Sequence, residues 1–437
     1  MLIAVPDYCT ISRVSGVRSR NSSFSKKSKG RDRSASTIRA SLITRSDDFE
    51  VGRLFGSYGF MNITSYSTLQ TGRDAEYSSE DAERLRVQDV GEGSVKIRLY
   101  EGRVAQGPLK GTRVLFKVYP GQRAGGTEAD MMATNELNTH SFLQSNLMDV
   151  CPNIQILLGG FETTTGEQWL AFRNDGKYSA ADYAKAKSEG ISKDQALGEQ
   201  KFWNPYEQEL KIKRRRIFVI KLLRGTLSGL AYMHNRDRLH QSIGPASVVL
   251  NTTAEREAVY LIPRLRDLAF SVDISYLVNY VMAADHSLMA WRRASAAGAF
   301  TPMEKRAFGI ADDIYEAGLL FAYLAFVPFC EAGLMDGYPC KDSLKVLSSL
   351  ISTQLESRLA NDKGELEILW VNLTIPSLLK PLKYCLADDR LLEAVKFLDL
   401  GNGAGWQLLQ AMLNPDHRKR PIAEAVLNHK FMTGDVL

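Results

Sequence analysis

Cysteine is scarce and scattered. The five cysteines, Cys9, Cys151, Cys330, Cys340 and Cys385, show no metal-ligand spacing and are odd in number. That excludes a disulfide scaffold and a cysteine-rich zinc site, and it suits a reduced interior. Cys330 and Cys340 read as inert buried thiols, with a redox-sensing pair as the alternative. Long apolar runs are missing too. The longest, residues 317–330, has fourteen positions even with Gly318 and Pro328 included, whereas a membrane span needs about 20. It reads as a buried core helix of a soluble or peripherally attached protein with no transmembrane segment. No internal repeat occurs, which excludes solenoids and propellers. An apolar fraction of 44% and a charged fraction of 24% exclude a wholly disordered chain.

Acidic residues are nearly lacking from the first 45 positions. Asp7 and Asp32 stand there against ten lysines and arginines and ten serines. No apolar stretch follows the start, so a secretory signal is excluded. An Arg- and Ser-rich, acid-poor leader predicts an organellar transit peptide over residues 1–45, and its serine content favours a chloroplast. The stretch Thr37-Ile38-Arg39-Ala40-Ser41 resembles a stromal processing site. A disordered basic tail is the competing reading. The leader carries +8 in a chain whose total is +5, so the body sums to −3. Net charge therefore gives no ground for nucleic-acid binding.

Residues 46–86 are mixed and partly polar, with a charged, weakly helical stretch at 77–89, and read as an N-terminal extension outside the core. From Val90 the texture changes. Residues 95–100 alternate apolar and polar, a strand pattern. Residues 111–119 predict a second strand, stopped by Pro120-Gly121. A helix is predicted over 128–143, and strands over 154–161 and 168–172. Beyond Asn174-Asp175-Gly176 helices dominate. Residues 185–206 look like a polar insertion. A long amphipathic helix over 214–234 carries Ile217, Ile220, Leu223, Leu227 and Leu230 on one stripe. Strands followed by helices predict an α+β fold.

Several short motifs stand in one fixed order. Val90-Gly91-Glu92-Gly93-Ser94-Val95-Lys96 is a G-x-G loop whose third glycine position is Lys96. A rival, Gly56-Ser57-Tyr58-Gly59, lies far upstream of the next lysine. Val114-Leu115-Phe116-Lys117 is followed nineteen residues later by Glu136. Residues 169–176 end a strand in a polar turn, and Asp182-Tyr183 opens the next helix. His240-Gln241-Ser242-Ile243-Gly244-Pro245-Ala246-Ser247 follows the long helix. Arg266-Asp267-Leu268-Ala269, Thr301-Pro302-Met303-Glu304, Asp313 and Arg420 complete the series.

Taken in order, residues 87–433 resemble the protein kinase superfamily. The resemblance implies a bilobal fold, with a small β-rich lobe over 87–175 and a larger helical lobe over 176–433. It implies that Gly91, Gly93, Lys117, Glu136, the strand end at Phe172 and Asp267 form an ATP site, with Asp267 on Mg2+. It implies that Asp313 caps the catalytic loop and that Arg420 pairs with Glu304 as a buried charged pair. The family's H-R-D-x-K-P-x-N loop is only partly kept. His240 and Pro245 persist, but the Asp, Lys and Asn positions are Ser242, Gly244 and Ser247. Those three groups accept the proton, steady the transferring phosphoryl and hold a metal ion. Their absence implies a pseudokinase, a regulatory or scaffold protein of the chloroplast stroma or thylakoid surface that binds ATP and an unidentified plastid protein. An active Ser/Thr kinase using another acid, such as Asp237, is the alternative. A kinase-like fold without nucleotide is the third.

Overall fold

The computed structural model describes residues 42–60, 95–145, 150–196, 205–274, 293–329, 392–414 and 416–436. Residues 1–41 of the transit-peptide reading, residues 77–89, Gly91, Gly93, Cys330, Cys340 and Cys385 lie outside them. The described residues form a mixed α+β structure.

Five strands make an antiparallel sheet: β1 (Phe49–Phe60), β2 (Val95–Val104), β3 (Arg113–Tyr119), β4 (Leu157–Glu162) and β5 (Gln168–Arg173), in the order β1-β2-β3-β5-β4. Alternation sorts their side chains onto two faces. Val114, Phe116 and Val118 of β3 join a cluster with Phe49, Val104 and Leu158 on one face. Tyr119 packs on the other face with Val95, Ile97, Leu170 and Phe172, together with Ala129 and Met132 of helix α1 (Gln122–Leu143). Period two therefore turns Lys117 toward α1.

Residues 46–86 were expected outside the core, yet Phe49–Phe60 is a full strand of the sheet. The preceding residues belong to it as well. Ile43 donates its N–H to Leu158 O at 3.0 Å and accepts from Gly160 N at 2.9 Å, closing the β4 edge. This contact needs the glycine between them, because a Cβ on Gly159 would stand 2.0 Å from Ile43 O. Leu42 and Ile43 each pack against one face's cluster. A leader ending at residue 45 would take this closure with it. Deleting residues 1–41 is expected to leave the melting temperature unchanged. Deleting 1–45 should cost roughly 2–4 kcal/mol, from two backbone hydrogen bonds and two half-buried apolar side chains. Equal melting curves for the two truncations would contradict this.

The helical core is built on α3 (Pro205–His234) and α4 (Pro302–Phe326), with α2 (Ala180–Ala196), α5 (Leu392–Leu398), α6 (Leu400–Met412), α7 (Ala423–Leu427) and α8 (Lys430–Thr433) around them. Ile220, Leu223, Leu227 and Leu230 of α3 are buried as the stripe predicts, but Ile217 faces solvent. Residues 185–196, expected within an insertion, continue α2. Its start is capped by Asp182, which accepts from Ser179 N at 2.8 Å and Ser179 Oγ at 2.9 Å. Residues 317–329 are buried helix and 3-10 turn, apart from the partly buried Tyr323 and Phe326. No described helix is long and apolar enough to cross a membrane.

The expected Glu304–Arg420 pair is not formed. Glu304 is exposed and closes a capping box, accepting from Phe300 N at 3.0 Å and Thr301 N at 2.9 Å. Those hydrogen bonds hold its carboxyl below the usual range. Arg420 donates instead to Asn414 O at 2.7 Å and Ala311 O at 3.0 Å and lies over the Tyr315 ring. A local cap, Pro at the first turn included, costs no desolvation of a charge, whereas a buried pair does.

Candidate functional site

Five short strands form two smaller sheets: β6 (Tyr178–Ser179), β8 (Val248–Leu250) and β9 (Arg264–Leu265) in one, and β7 (Arg238–Leu239) with β10 (Val272–Asp273) in the other. The segment after β9 carries Asp267. Its backbone is left-handed, at φ 65° and ψ 52°, a conformation Asp tolerates better than most side chains. Leu268 enters the helical core, while Ala269 and Phe270 enter the sheet core. Asn135 of α1 fixes this segment by donating to Ala269 O at 2.7 Å and Ser271 O at 2.8 Å.

The arrangement brings Lys117, Glu136 and Asp267 together. The Lys117 ammonium is 2.9 and 2.7 Å from the two Glu136 carboxylate oxygens and 2.8 Å from Asp267 Oδ1. All three side chains are almost fully buried. Tyr119 Oη donates to Glu136 Oε2, and Leu268 N donates to Oε1 at 3.3 Å. Arg266 Nε lies 3.3 Å from Asp267 Oδ2. Two cations thus face two anions, the balance buried charges require. The nineteen-residue spacing found Lys117 and Glu136. Tyr119 and Arg266 were missed. The signal for Tyr119 was its place two residues after Lys117, hence on the same strand face.

Beneath this cluster lies the loop from His240 to Ser247. Asp313, in the middle of α4 and fully buried, accepts from His240 N at 2.8 Å, Gln241 N at 2.8 Å and Gln241 Nε2 at 3.0 Å, and meets His234 Nε2 at 2.9 Å. Gln241 is held at φ 62°. Burial lowers the His240 pKa, so the ring is neutral, with Asp313 and Asp267 opposing the shift. A neutral ring with its proton on Nε2 donates to Arg266 O at 3.1 Å and accepts from Ser242 N at 3.3 Å. Ser247 is closed on its own turn, accepting from Gly244 N at 2.9 Å and donating to Gly244 O at 2.8 Å. Between His240 and Ser247 there is no carboxylate, and Gly244 brings no side chain.

Phe172 lies within β5, flanked by β3 and β4, so its backbone is committed to the sheet and its ring packs on His140 at 5.0 Å. The chain leaves the sheet at residues 174–177. There Leu115, Asn174, Gly176, Val249 and Arg266 line a cavity of about 20 Å³, room for one water. The donor set fits Mg2+ poorly. Both cluster carboxylates are engaged, Glu136 by Lys117 and Tyr119 and Asp267 by Lys117 and Arg266, and the Ser247 hydroxyl is closed on its own turn.

His140 of α1 is wholly buried, and its pKa falls to about 3. Burial is the main cause, followed by Lys117, while Asp267 opposes and His240 adds to the shift. The Gln155 backbone counters the shift least of these influences. A folded-state pKa below the unfolded value near 6.5 means this contribution is complete above pH 6.5 and is lost as pH falls toward 3. Stability should therefore drop by about 1.4 kcal/mol per pH unit below pH 6, relative to His140→Gln. Urea unfolding from pH 7 to 4.5 measures this; parallel pH profiles for the two proteins would contradict it.

Compared with models of protein families and with curated proteins, the sequence finds no match.

Proposed function

We propose that this protein is a bilobal, protein-kinase-like pseudokinase of the chloroplast, with a regulatory or scaffold role toward a plastid protein. It binds ATP weakly and transfers no phosphate. One observation carries the reading. The buried Lys117–Glu136–Asp267 cluster is complete, while the loop that should supply the proton acceptor holds Ser242, Gly244 and Ser247 and no acid. A neutral serine hydroxyl is a poor base at pH 7. General-base help is typically worth about 10²–10⁴ in rate, and two electrostatic contributions are lost besides.

Weak binding follows from the engaged lysine. The Lys117 ammonium is already held by Glu136 and Asp267, so nucleotide must displace a partner to reach it. Lys117 would then meet phosphate oxygens in exchange for Asp267. Magnesium adds little, because Asp267 is already engaged by Lys117 and Arg266.

Thermal unfolding with ATP tests this. Stabilisation of about 1 kcal/mol is expected once ATP reaches about five times Kd, with nearly the same shift when Mg2+ is chelated. An unchanged melting curve at millimolar ATP would overturn the nucleotide part, and a shift that vanishes without Mg2+ would overturn the reading of Asp267.

A further inference from the structure

The outward side of α3 does no work in the site described above. Arg214, Ile217, Lys221 and Arg224 recur there at three- and four-residue spacing, beside the exposed Lys213. The turn Glu255–Tyr260 lies against this stripe. Lys221 Nζ donates to Val259 O, and Gly225 leaves no gap, since a Cβ there would stand 2.6 Å from the Pro263 ring. The turn presents Val259 at 79% and Tyr260 at 73% exposure, with Ile262 at 37%. It is not a loose tip. Asn251 Nδ2 donates to Tyr260 O at 2.8 Å, and Asn251 Oδ1 accepts from Ile262 N at 2.7 Å.

The charge around these apolar tips is predominantly positive; the exposed Glu257, which accepts from Thr252 Oγ1 at 2.8 Å, is the exception. Lys213, Arg214 and Arg224 have no ion-pair partner among the described residues. The nearby Glu255 is already engaged by Arg215 at 3.2 Å and Lys187 at 3.5 Å. Three neighbouring apolar side chains held out by a braced turn are a contact surface rather than scattered exposure.

We propose that this face docks on an anionic lipid bilayer. Val259, Tyr260 and Ile262 enter the interface, and the α3 cations lie at headgroup level. The chemistry matches on both counts. Tyrosine favours the membrane–water boundary, and Lys and Arg keep their heads polar while their stems lie along apolar surface. Each cation near an anionic surface raises partitioning about fivefold. A nucleic acid would satisfy the cations but leave the apolar tips in water. This proposal does not depend on the pseudokinase reading.

Sedimentation of the full chain with phosphatidylcholine vesicles, with and without phosphatidylglycerol, tests it. The wild type should bind the anionic vesicles and release at high salt. The leader, at +8, would also attract anionic vesicles, so the comparison is between variants of the same full chain. Val259→Ser with Tyr260→Ser should lower partitioning about tenfold. Lys213→Gln, Arg214→Gln and Arg224→Gln together should lower it about a hundredfold, or to the floor set by the leader. Both variants should melt as the wild type does, because every altered residue is at least partly exposed. Wild-type binding that both variants retain in full overturns the proposal and leaves the leader as the binding element. No wild-type binding to either vesicle also overturns it, and is the outcome expected of a face made for an acidic protein.

Discussion

Asp313→Ala should cost about 3–6 kcal/mol, enough to bring the protein near unfolding at room temperature. The wild-type carboxylate satisfies two buried backbone N–H groups, those of His240 and Gln241, and the Gln241 side chain. Each donor orphaned in the interior costs about 1–3 kcal/mol. Gln241 also loses the contact that holds it at positive φ, so the loop has no reason to keep its course. Asp313→Asn should fall between the two, because one carbonyl oxygen remains to accept. Denaturant midpoints measure the series, and wild-type midpoints for Asp313→Ala would mean that α4 does not anchor the loop.

Lys117→Met should be nearly as damaging, by about 3–5 kcal/mol, before any nucleotide is added. It removes the ammonium standing within 3 Å of both Glu136 and Asp267 and leaves two buried carboxylates without it, while Arg266 stays beside Asp267. Breaking a buried pair from one side is expensive for that reason. Lys117→Met with Glu136→Gln should recover part of the loss. If the single variant melts like the wild type, the cluster is not a charge-balanced unit. The expected loss also makes Lys117→Met a poor probe of nucleotide binding.

Much of this was legible in the sequence, and the misses have physical causes. Lys117 and Glu136 could be placed because one sits in a clean period-two strand and the other in a long helix. β1 was missed because it breaks that period. Its register shifts between Val51 and Leu54 and again between Leu54 and Gly56, and Val51, Leu54 and Phe55 are exposed. The rival glycines Gly56 and Gly59 thus stand in the edge strand, opposite Leu99 and Lys96 of β2. α2 was read as insertion from residue 185 on because Gly190 lowers helix propensity, while its packing on the core was invisible. Glu304 was assigned to Arg420 by resemblance, although Thr301-Pro302-Met303-Glu304 also spells a capping box. The local alternative wins. Arg266 could not be ranked above other arginines, because only the fold puts it on Asp267 and on the Ala246 carbonyl.

The proposed function rests on a buried Lys117–Glu136–Asp267 cluster and a loop, His240 to Ser247, with no acid to accept a proton. Transfer of labelled γ-phosphate from ATP, to the protein itself and to a general protein substrate, tests it most directly. Wild type and Ser242→Asp should both stay at background, because three groups that act as a unit are missing and restoring one does not suffice. Transfer by the wild type at about 1–100 s⁻¹, the ordinary range for protein kinases, that is lost in a folded Asp267→Asn variant would contradict the claim.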